Sequence, residues 1–327
     1  MSLVDIAHHD DNVLVDVSVD EPVGPITARS PLELFWRRFR QDRVAMGALV
    51  FIIALVLAAI AAPLIVKILG VSGPNQQNTG ALDPFGQPAG PSSAHVFGVD
   101  DLGRDIFARV LYGARVSLEV AFIATGIAVT IGVVVGMVAG FFRGWVDTAL
   151  SRIMDIVLAF PILLLAIGLA SACSLGRGCM GGLIKPGRAV LIVVIALASW
   201  PYIGRIIRGQ VLSLREKEFV EAARSLGASN GRIIFREILP NLVAPIIVYT
   251  TLVLPTNVLF EAALSFLGVG VQPPTASWGQ MIAAAAPIFD SAWWYMLFPG
   301  LALVLTVLAF NLVGDGLQDA LNPRSDR

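Results

Sequence analysis

The chain has 327 residues and a formal net charge of −1, with 56% hydrophobic and only 14% charged residues. Soluble domains carry about 25% charged residues, so this composition excludes an ordinary soluble domain and indicates lipid as the surrounding solvent. A net charge so close to zero also excludes a nucleic-acid-binding role.

The first 29 residues are acidic and polar and have no apolar core, which is typical of a disordered tail. His8 and His9 are adjacent there, but two neighbouring histidines in such a tail do not predict a metal site. We expect no metal in the chain.

Residues 30–43 predict a short amphipathic helix. Ser30, Pro31 and Glu33 combine a capping box with proline at the first helical position. Apolar side chains then repeat at helical spacing, with arginines on the opposite face: Leu32, Phe35, Trp36 and Phe39. The pattern favours a helix on the cytoplasmic membrane surface, with an extension of the first span as the alternative.

Six apolar stretches are long enough to cross a hydrocarbon core, which takes about 20 helical residues. They are residues 44–66, 116–141, 150–172, 189–207, 242–267 and 293–312. Pro161 interrupts the third stretch, which predicts a kinked helix with Arg152 and Asp155 paired locally at its cytoplasmic end. The predicted fold class is an all-α integral membrane protein with six transmembrane helices.

Lysine and arginine are distributed unevenly among the connections. Of the 23, 16 lie before the first span, between spans two and three, between spans four and five, or after the sixth. The positive-inside rule therefore predicts that both termini and the basic 215–241 loop are cytoplasmic. The chain divides into a tail at 1–29, the surface helix at 30–43, the first span at 44–66, an extracytoplasmic segment at 67–115, a core at 116–314 and a cytoplasmic tail at 315–327.

Small residues in the second span and two cysteines further along predict close contacts. Gly132, Gly136 and Gly140 form a small-xxx-small pattern that predicts close packing of another helix. Cys173 and Cys179 lie in the extracytoplasmic connection after span three, where a disulfide can persist. We favour that disulfide, and two unpaired thiols are the alternative.

Glu261 lies deep in the fifth span, one turn after Asn257. A carboxylate at that depth is costly and usually functional. Contact with cargo along a pathway and contact with another helix across an interface both remain open.

The 215–241 loop contains two short helical patterns on either side of Gly227. Apolar residues repeat in each pattern: Phe219, Val220, Ala223 and Leu226, then Ile233, Ile234 and Ile238. Gly227 stands where a helix would end in a left-handed residue, and we expect Pro240 to stop the second helix before the fifth span. Such a knob suits docking on a soluble partner, and an ordinary basic loop is the alternative.

Three parts of the chain resemble one family. Glu221, Ala222 and Ala223, followed by Gly227, Leu239 and Pro240, resemble the EAA loop of prokaryotic ABC importer permeases. Residues 95–115, the last span and the residues up to Pro323 resemble dipeptide/oligopeptide permeases of the C type. Glu237 departs from the pattern, because the family has an apolar residue there.

The resemblance implies the fold of a type I ABC importer permease in the inner (plasma) membrane of a prokaryote. It implies a cytoplasmic coupling helix that docks on an ATPase subunit through Glu221, Ala222, Ala223, Ser225, Leu226, Gly227, Ala228, Arg232, Leu239 and Pro240. It also implies a second, homologous permease subunit and an extracytoplasmic substrate-binding protein. Peptides are the implied cargo, with nickel, glutathione or haem as alternatives, because similar permeases serve those systems.

The chain has no phosphate-binding loop of its own, because none of Lys67, Lys185 and Lys217 follows a glycine. We therefore expect a non-catalytic subunit without a cofactor, and we expect ATP and Mg²⁺ on the partner ATPase. A secondary transporter or channel is the alternative from a different class. It would carry charged relay residues in several spans and would lack a docking loop.

Overall fold

The computed structural model describes residues 31–174 and 187–321, and its regular structure there is helical. The helices are α1 (Pro31–Gln41), α2 (Arg43–Ile60), α3 (Ala62–Ile68), α4 (Ile106–Phe141), α5 (Trp145–Ala159), α6 (Ile162–Ser174), α7 (Arg188–Leu214), α8 (Glu218–Ser225), α9 (Asn230–Arg232), α10 (Leu239–Phe266), α11 (Trp278–Ala285) and α12 (Trp293–Leu321). A π-helical turn, Ile233–Ile238, joins α9 to α10. The long helices run between a loop face, which carries the 215–241 loop, and a cap face, which carries residues 69–105, the cap segment.

The described residues contain five helical runs long and apolar enough to cross a membrane, and α5 with α6 forms a sixth candidate only as a bent pair. The bend measures 88° and is much sharper than the kink predicted for the third span. Phe160 has a ψ of 139°, because the ring of Pro161 disfavours helical backbone in the preceding residue. The six predicted spans therefore correspond to five helical runs and one bent pair.

The surface helix α1 is separate from the first span. Asp42 caps α2, since its Oδ1 accepts hydrogen bonds from the backbone N–H groups of Val44 and Ala45 at 2.9 and 3.0 Å. Phe39 is buried, while Arg40 lies over the ring of Trp36 at 5.1 Å. The predicted first span, 44–66, corresponds to α2 and the short α3 that follows it.

Two helices run past their predicted boundaries. Helix α4 begins at Ile106, where Asp105 accepts a hydrogen bond from the N–H of Ala108 at 3.0 Å, and it has 36 residues. At 1.5 Å per residue it is about 54 Å long, whereas the hydrocarbon core is about 30 Å thick. Helix α12 continues to Leu321 through part of the predicted tail, because Gly316 and Ala320 are buried at its loop-face end.

Helices α4 and α7 form the centre of the bundle, and the three predicted glycines lie in their contact. A Cβ on Gly132 would lie 2.8 Å from the Cβ of Ile203, and one on Gly140 would lie 2.7 Å from the Cβ of Val211. One on Gly136 would lie 2.5 Å from the carbonyl oxygen of Gly204. Only glycine permits these two backbones to approach so closely.

Candidate functional site

The 215–241 loop begins with α8, which ends in a glycine-dependent cap. Gly227 has a φ of +77°, a conformation that costs other residues about 1–2 kcal/mol. The N–H of Gly227 donates to the carbonyl of Arg224, and the N–H of Ala228 donates to that of Ala223, both at 3.0 Å. These two bonds form a Schellman motif, which reverses the chain at Gly227.

The second limb of the loop is continuous with the fifth span, so the expectation that Pro240 separates them is wrong. The Oγ of Ser229 accepts a hydrogen bond from the N–H of Arg232 at 3.4 Å and caps α9, and the chain then stays helical to Phe266. The turn Ile233–Ile238 widens to π geometry immediately before Pro240, which lies at the start of α10. Proline is tolerated there because the first turn of an α-helix leaves N–H groups unbonded.

The loop has one buried face and one exposed face. Val220 is fully buried in a cluster with Ile233, Ile238 and, from the ends of α4 and α7, Phe141 and Val211. The exposed face includes most of the predicted docking residues: Glu221, Ala222, Ser225, Leu226, Gly227, Arg232 and Pro240. The remaining three, Ala223, Ala228 and Leu239, are half-buried against the same cluster.

Three large apolar side chains of this loop are exposed, and Phe219 is the least exposed of them. Leu226, at the tip of α8, is 89% exposed, and Phe235, on the π turn, is 65% exposed. Exposed charged side chains lie close to them along the chain: Glu218, Glu221, Arg224, Arg232 and Arg236. Exposed apolar side chains together with exposed charged ones are the composition of a protein-docking surface.

Charged side chains attach the base of the loop to α4. Nη1 of Arg215 donates to the carbonyl oxygens of Gly140 and Phe141 at 3.1 and 2.8 Å, and so satisfies carbonyls at the C-terminus of α4. Arg143, just after α4, forms an exposed ion pair with Glu216. The loop is thereby connected to the ends of both central helices.

Two ion pairs join α5 to α7. Arg208 donates to Asp147, with Nη2 2.8 Å from Oδ2, and Arg205 pairs with Asp155. The predicted local pair between Asp155 and Arg152 is therefore wrong. Asp155 and Arg152 are three residues apart on α5, and the partner within ion-pair distance of Asp155 is Arg205 of α7.

Asn257 and Glu261 are completely buried inside the subunit. Nδ2 of Asn257 donates to Oγ1 of Thr125 on α4 at 2.8 Å, and its Oδ1 accepts from Oγ of Ser199 on α7 at 2.9 Å. Oε1 of Glu261 accepts from Oγ of Ser265 at 2.8 Å. In this conformation Asn257 contacts two neighbouring helices, and Glu261 contacts a residue of its own helix.

The cap segment is organised by a buried charge network that sequence reasoning missed. The carboxylate of Asp100 accepts from Nε of Arg104 at 2.7 Å and lies 3.4 Å from Nε of Arg109. Arg109 also donates to the carbonyl of Pro74 at 3.0 Å and to Oε1 of Gln280 at 3.2 Å. The available signal for this network in the sequence was a group of closely spaced charges of both signs, from Asp100 to Arg109, in an otherwise apolar chain.

Further contacts of the cap segment fix the ends of the helices. Nδ1 of His95 lies 2.9 Å from Oδ2 of Asp105, the residue that caps α4. Nε1 of Trp294, at the start of α12, donates to the carbonyl of Val99 at 3.2 Å. The stretch from His95 to Asp105 therefore joins the starts of α4 and α12.

Cys173 is buried near the end of α6, among residues of α7. Its predicted partner, Cys179, lies outside the described residues, so the disulfide stays a prediction. In the described ranges, no group of three or more His, Cys, Asp or Glu side chains is placed to hold a metal ion.

Cavities lie at both faces of the bundle. On the loop face, a cavity of about 570 Å³ between α7, α10 and α12 is lined by Gln210, Ala244, Pro245, Val248, Tyr249, Gln318 and Leu321. On the cap face, a cavity of about 430 Å³ is lined by Pro74, Asn75, Tyr112, Arg115, Val116, Glu119, Arg188, Thr275 and Ala276. The first has no charged lining residue, whereas the second has both signs of charge.

Comparison with known proteins gives consistent matches along the chain. Residues 132–327 match the family described as "Binding-protein-dependent transport system inner membrane component", and residues 30–86 match the "N-terminal TM domain of oligopeptide transport permease C". The chain is 42% identical over 303 residues to the dipeptide transport system permease protein DppC of Alkalihalophilus pseudofirmus, covering 93% of each chain. It is 43% identical over 302 residues to the glutathione transport system permease protein GsiD of Escherichia coli, covering 92% of this chain and 93% of that one.

A solved structure shares the fold. A chain from the inward-facing MetNI methionine ABC transporter superposes with a TM-score of 0.55 at 21% identity, covering 65% of this chain and 96% of that one. At that identity the likeness concerns the fold alone. The all-helical architecture is that of type I ABC importer permeases.

Proposed function

The chain belongs to the family of binding-protein-dependent transport system inner membrane components, and we propose that it forms half of the translocation path of an ATP-driven importer for dipeptides or oligopeptides. Members of this family are non-catalytic, multi-pass permease subunits of the inner membrane. In this proposal the loop face and both termini are cytoplasmic. A second, homologous permease completes the path, a binding protein delivers cargo at the cap face, and an ATPase subunit carries ATP and Mg²⁺.

The observation that carries this proposal is the apolar tip of the 215–241 loop. Leu226 projects into solvent from a short helix whose opposite side is anchored by the buried Val220. Burying a leucine side chain contributes about 1.5–3 kcal/mol, so leaving one exposed at a helix tip makes physical sense when a partner covers it. We infer that α8 is the coupling helix and that Leu226 enters a cleft of the ATPase.

The packing of the loop supports a mechanical role. Val220 lies in one cluster with residues of α4, α7 and α10, and Arg215 bonds directly to the last carbonyls of α4. A displacement of α8 would therefore be transmitted to three long helices, because packed interiors are stiff. ATP-driven closure of the paired ATPases would bias the bundle between inward-facing and outward-facing states.

The cargo assignment rests on the relatives and agrees with the loop-face cavity. Gln210, Tyr249 and Gln318 offer neutral hydrogen-bonding groups, which suit peptide bonds without selecting particular side chains. Glutathione is the second candidate, because a glutathione permease is as similar to this chain as the dipeptide permease. Competition for uptake of a labelled dipeptide by unlabelled glutathione and by longer peptides separates the two.

The test of docking is Leu226→Asp in the complete transporter, purified and reconstituted with its binding protein. A buried, unpaired carboxylate in the ATPase cleft would weaken docking, so we expect the ATPase to be lost on purification and ATP-driven uptake to fall at least tenfold. Phe85→Asp is the matched control for copurification of the ATPase, since Phe85 is equally exposed, at 90%, but lies in the cap segment, on the face opposite the loop.

Two results would contradict the proposal. Normal ATP-driven uptake by Leu226→Asp would remove α8 from the coupling role. Uptake that persists in vesicles without the ATPase subunit would instead indicate a secondary transporter or channel.

A further inference from the structure

A lipid-facing groove lies between the first and last spans of the bundle. Its cavity volume is about 280 Å³, and its walls come from two antiparallel helices. Helix α2 contributes Val44, Gly47 and Phe51, and α12 contributes Leu305, Leu308 and Leu312. Most of these side chains are exposed and all are apolar, so the groove has the chemistry of a hydrocarbon binding surface.

The groove has the length of a lipid chain in one leaflet. It extends along α2 from Arg43 to Phe51, which is about 12 Å at 1.5 Å per residue. Half of a bilayer's hydrocarbon core is about 15 Å. Gly47 produces the depth of the groove, because a side chain there would meet nothing within 4 Å.

The mouth of the groove is positively charged. Arg43 lines it at the first residue of α2, and Arg37 and Arg40, which are also exposed, lie on the preceding helix α1. None of these three arginines forms an ion pair with a described residue. The neighbouring carboxylate of Asp42 is occupied in capping α2, so the guanidinium of Arg43 remains available to an external anion.

We propose that this groove binds an anionic phospholipid, with one acyl chain between α2 and α12 and the phosphate on Arg43. The apolar walls contact the acyl chain, and the guanidinium of Arg43 binds the phosphate. The headgroup and the tail of the lipid are therefore recognised by different parts of one site. Basic pockets between transmembrane helices commonly hold acidic lipid headgroups. The site is separate from the 215–241 loop and does not depend on the proposed cargo.

The test is lipid retention by the purified full-length chain, measured by native mass spectrometry. The chain is equilibrated in detergent with equal amounts of phosphatidylglycerol and phosphatidylcholine that carry identical acyl chains. We expect the wild type to retain phosphatidylglycerol about fivefold over phosphatidylcholine, the preference that one arginine near an anionic headgroup provides. Arg43→Gln should bring the ratio close to one.

Variants of the groove itself test the acyl-chain part. Gly47→Leu fills the groove and should reduce retention of both lipids, whereas Gly126→Leu, at a glycine of α4 that also faces open space, should not. Leu308→Trp narrows the opposite wall and gives the same expectation if Gly47→Leu does not fold. Glycerol 1-phosphate, a headgroup without chains, should not displace the retained lipid.

Three outcomes would overturn the proposal. The first is an unchanged headgroup preference in Arg43→Gln. The second is full lipid retention in both Gly47→Leu and Leu308→Trp. The third is a photo-crosslinker at position 308 that captures another polypeptide in membranes, because the groove would then be a subunit interface.

Discussion

The cap segment and the 215–241 loop both connect membrane-spanning helices, but they are stabilised in opposite ways. In the cap segment, Asp100 is completely buried and pairs with Arg109 of α4, which is also completely buried. In the 215–241 loop most of the charges face solvent, with Arg215 as an exception, and Leu226 and Phe235 are exposed as well. The comparison indicates that the cap segment is held by buried charges paired within the chain, whereas the loop is held by a buried apolar side, with Val220 at its centre.

Removing Arg109 of α4, which pairs with Asp100 of the cap segment, should have the largest effect on stability. Arg109→Met leaves the carboxylate of Asp100 buried without one of its cationic partners, and such losses cost about 3–5 kcal/mol. Thermal unfolding of the purified chain should show a large fall in Tm. Arg115→Met, at an exposed arginine further along α4, is the control, and equal Tm values for the two variants would contradict the role of the network.

The next largest loss of stability is expected at the contact of α4 with α7, because α4 begins at the cap segment and α7 ends at the 215–241 loop. In Gly136→Ala the new Cβ would lie 2.5 Å from the carbonyl oxygen of Gly204, so the helices must separate. Overpacking of this kind costs about 1–3 kcal/mol. Gly126→Ala, whose new Cβ meets nothing within 4 Å, should stay close to the wild-type Tm. An equal fall in Tm in Gly136→Ala and Gly126→Ala would contradict the close contact of α4 with α7.

Helix α8 offers a matched pair that separates anchoring from docking. Val220→Ala removes two buried methyl groups and should cost about 2 kcal/mol, whereas Leu226→Ala should leave Tm unchanged. Copurification of the ATPase should fall in Leu226→Ala, although its Tm is unchanged, because the exposed side chain of Leu226 is the one that would contact the partner. A fall in Tm for Leu226→Ala would place that side chain in the core.

The smallest expected effect concerns Asp101 at the edge of the cap segment. Burial first, and the neighbouring Asp100 carboxylate second, raise the pKa of Asp101 above its usual value. The ionised form is therefore disfavoured in the fold, so its stability cost is absent below the unfolded pKa of about 3.8 and complete above the folded pKa. Asp101→Asn should raise Tm slightly at pH 7 and not at pH 3.5, and a lower Tm at pH 7 would contradict this sign.

The sequence by itself determined the features that depend on local pattern. The apolar stretches, the basic connections and the resemblance around Gly227 predicted a type I permease fold, since hydropathy and helix capping act over a few neighbouring residues. The glycine spacing in the second span likewise indicated a close helix contact. These features depend on residues that are close in the sequence, so they can be predicted without knowing which residues lie across the bundle.

Only the tertiary structure decided which distant groups meet. Arg109 reaches Asp100, Pro74 and Gln280, and Asp155 pairs with Arg205 of α7 rather than with Arg152. The 88° size of the bend at Phe160 and the continuity of the helix through Pro240 were also visible only in the structure. Burial makes an unpaired charge costly wherever it lies in the chain, so partners are selected by proximity in space, which spacing along the sequence does not encode.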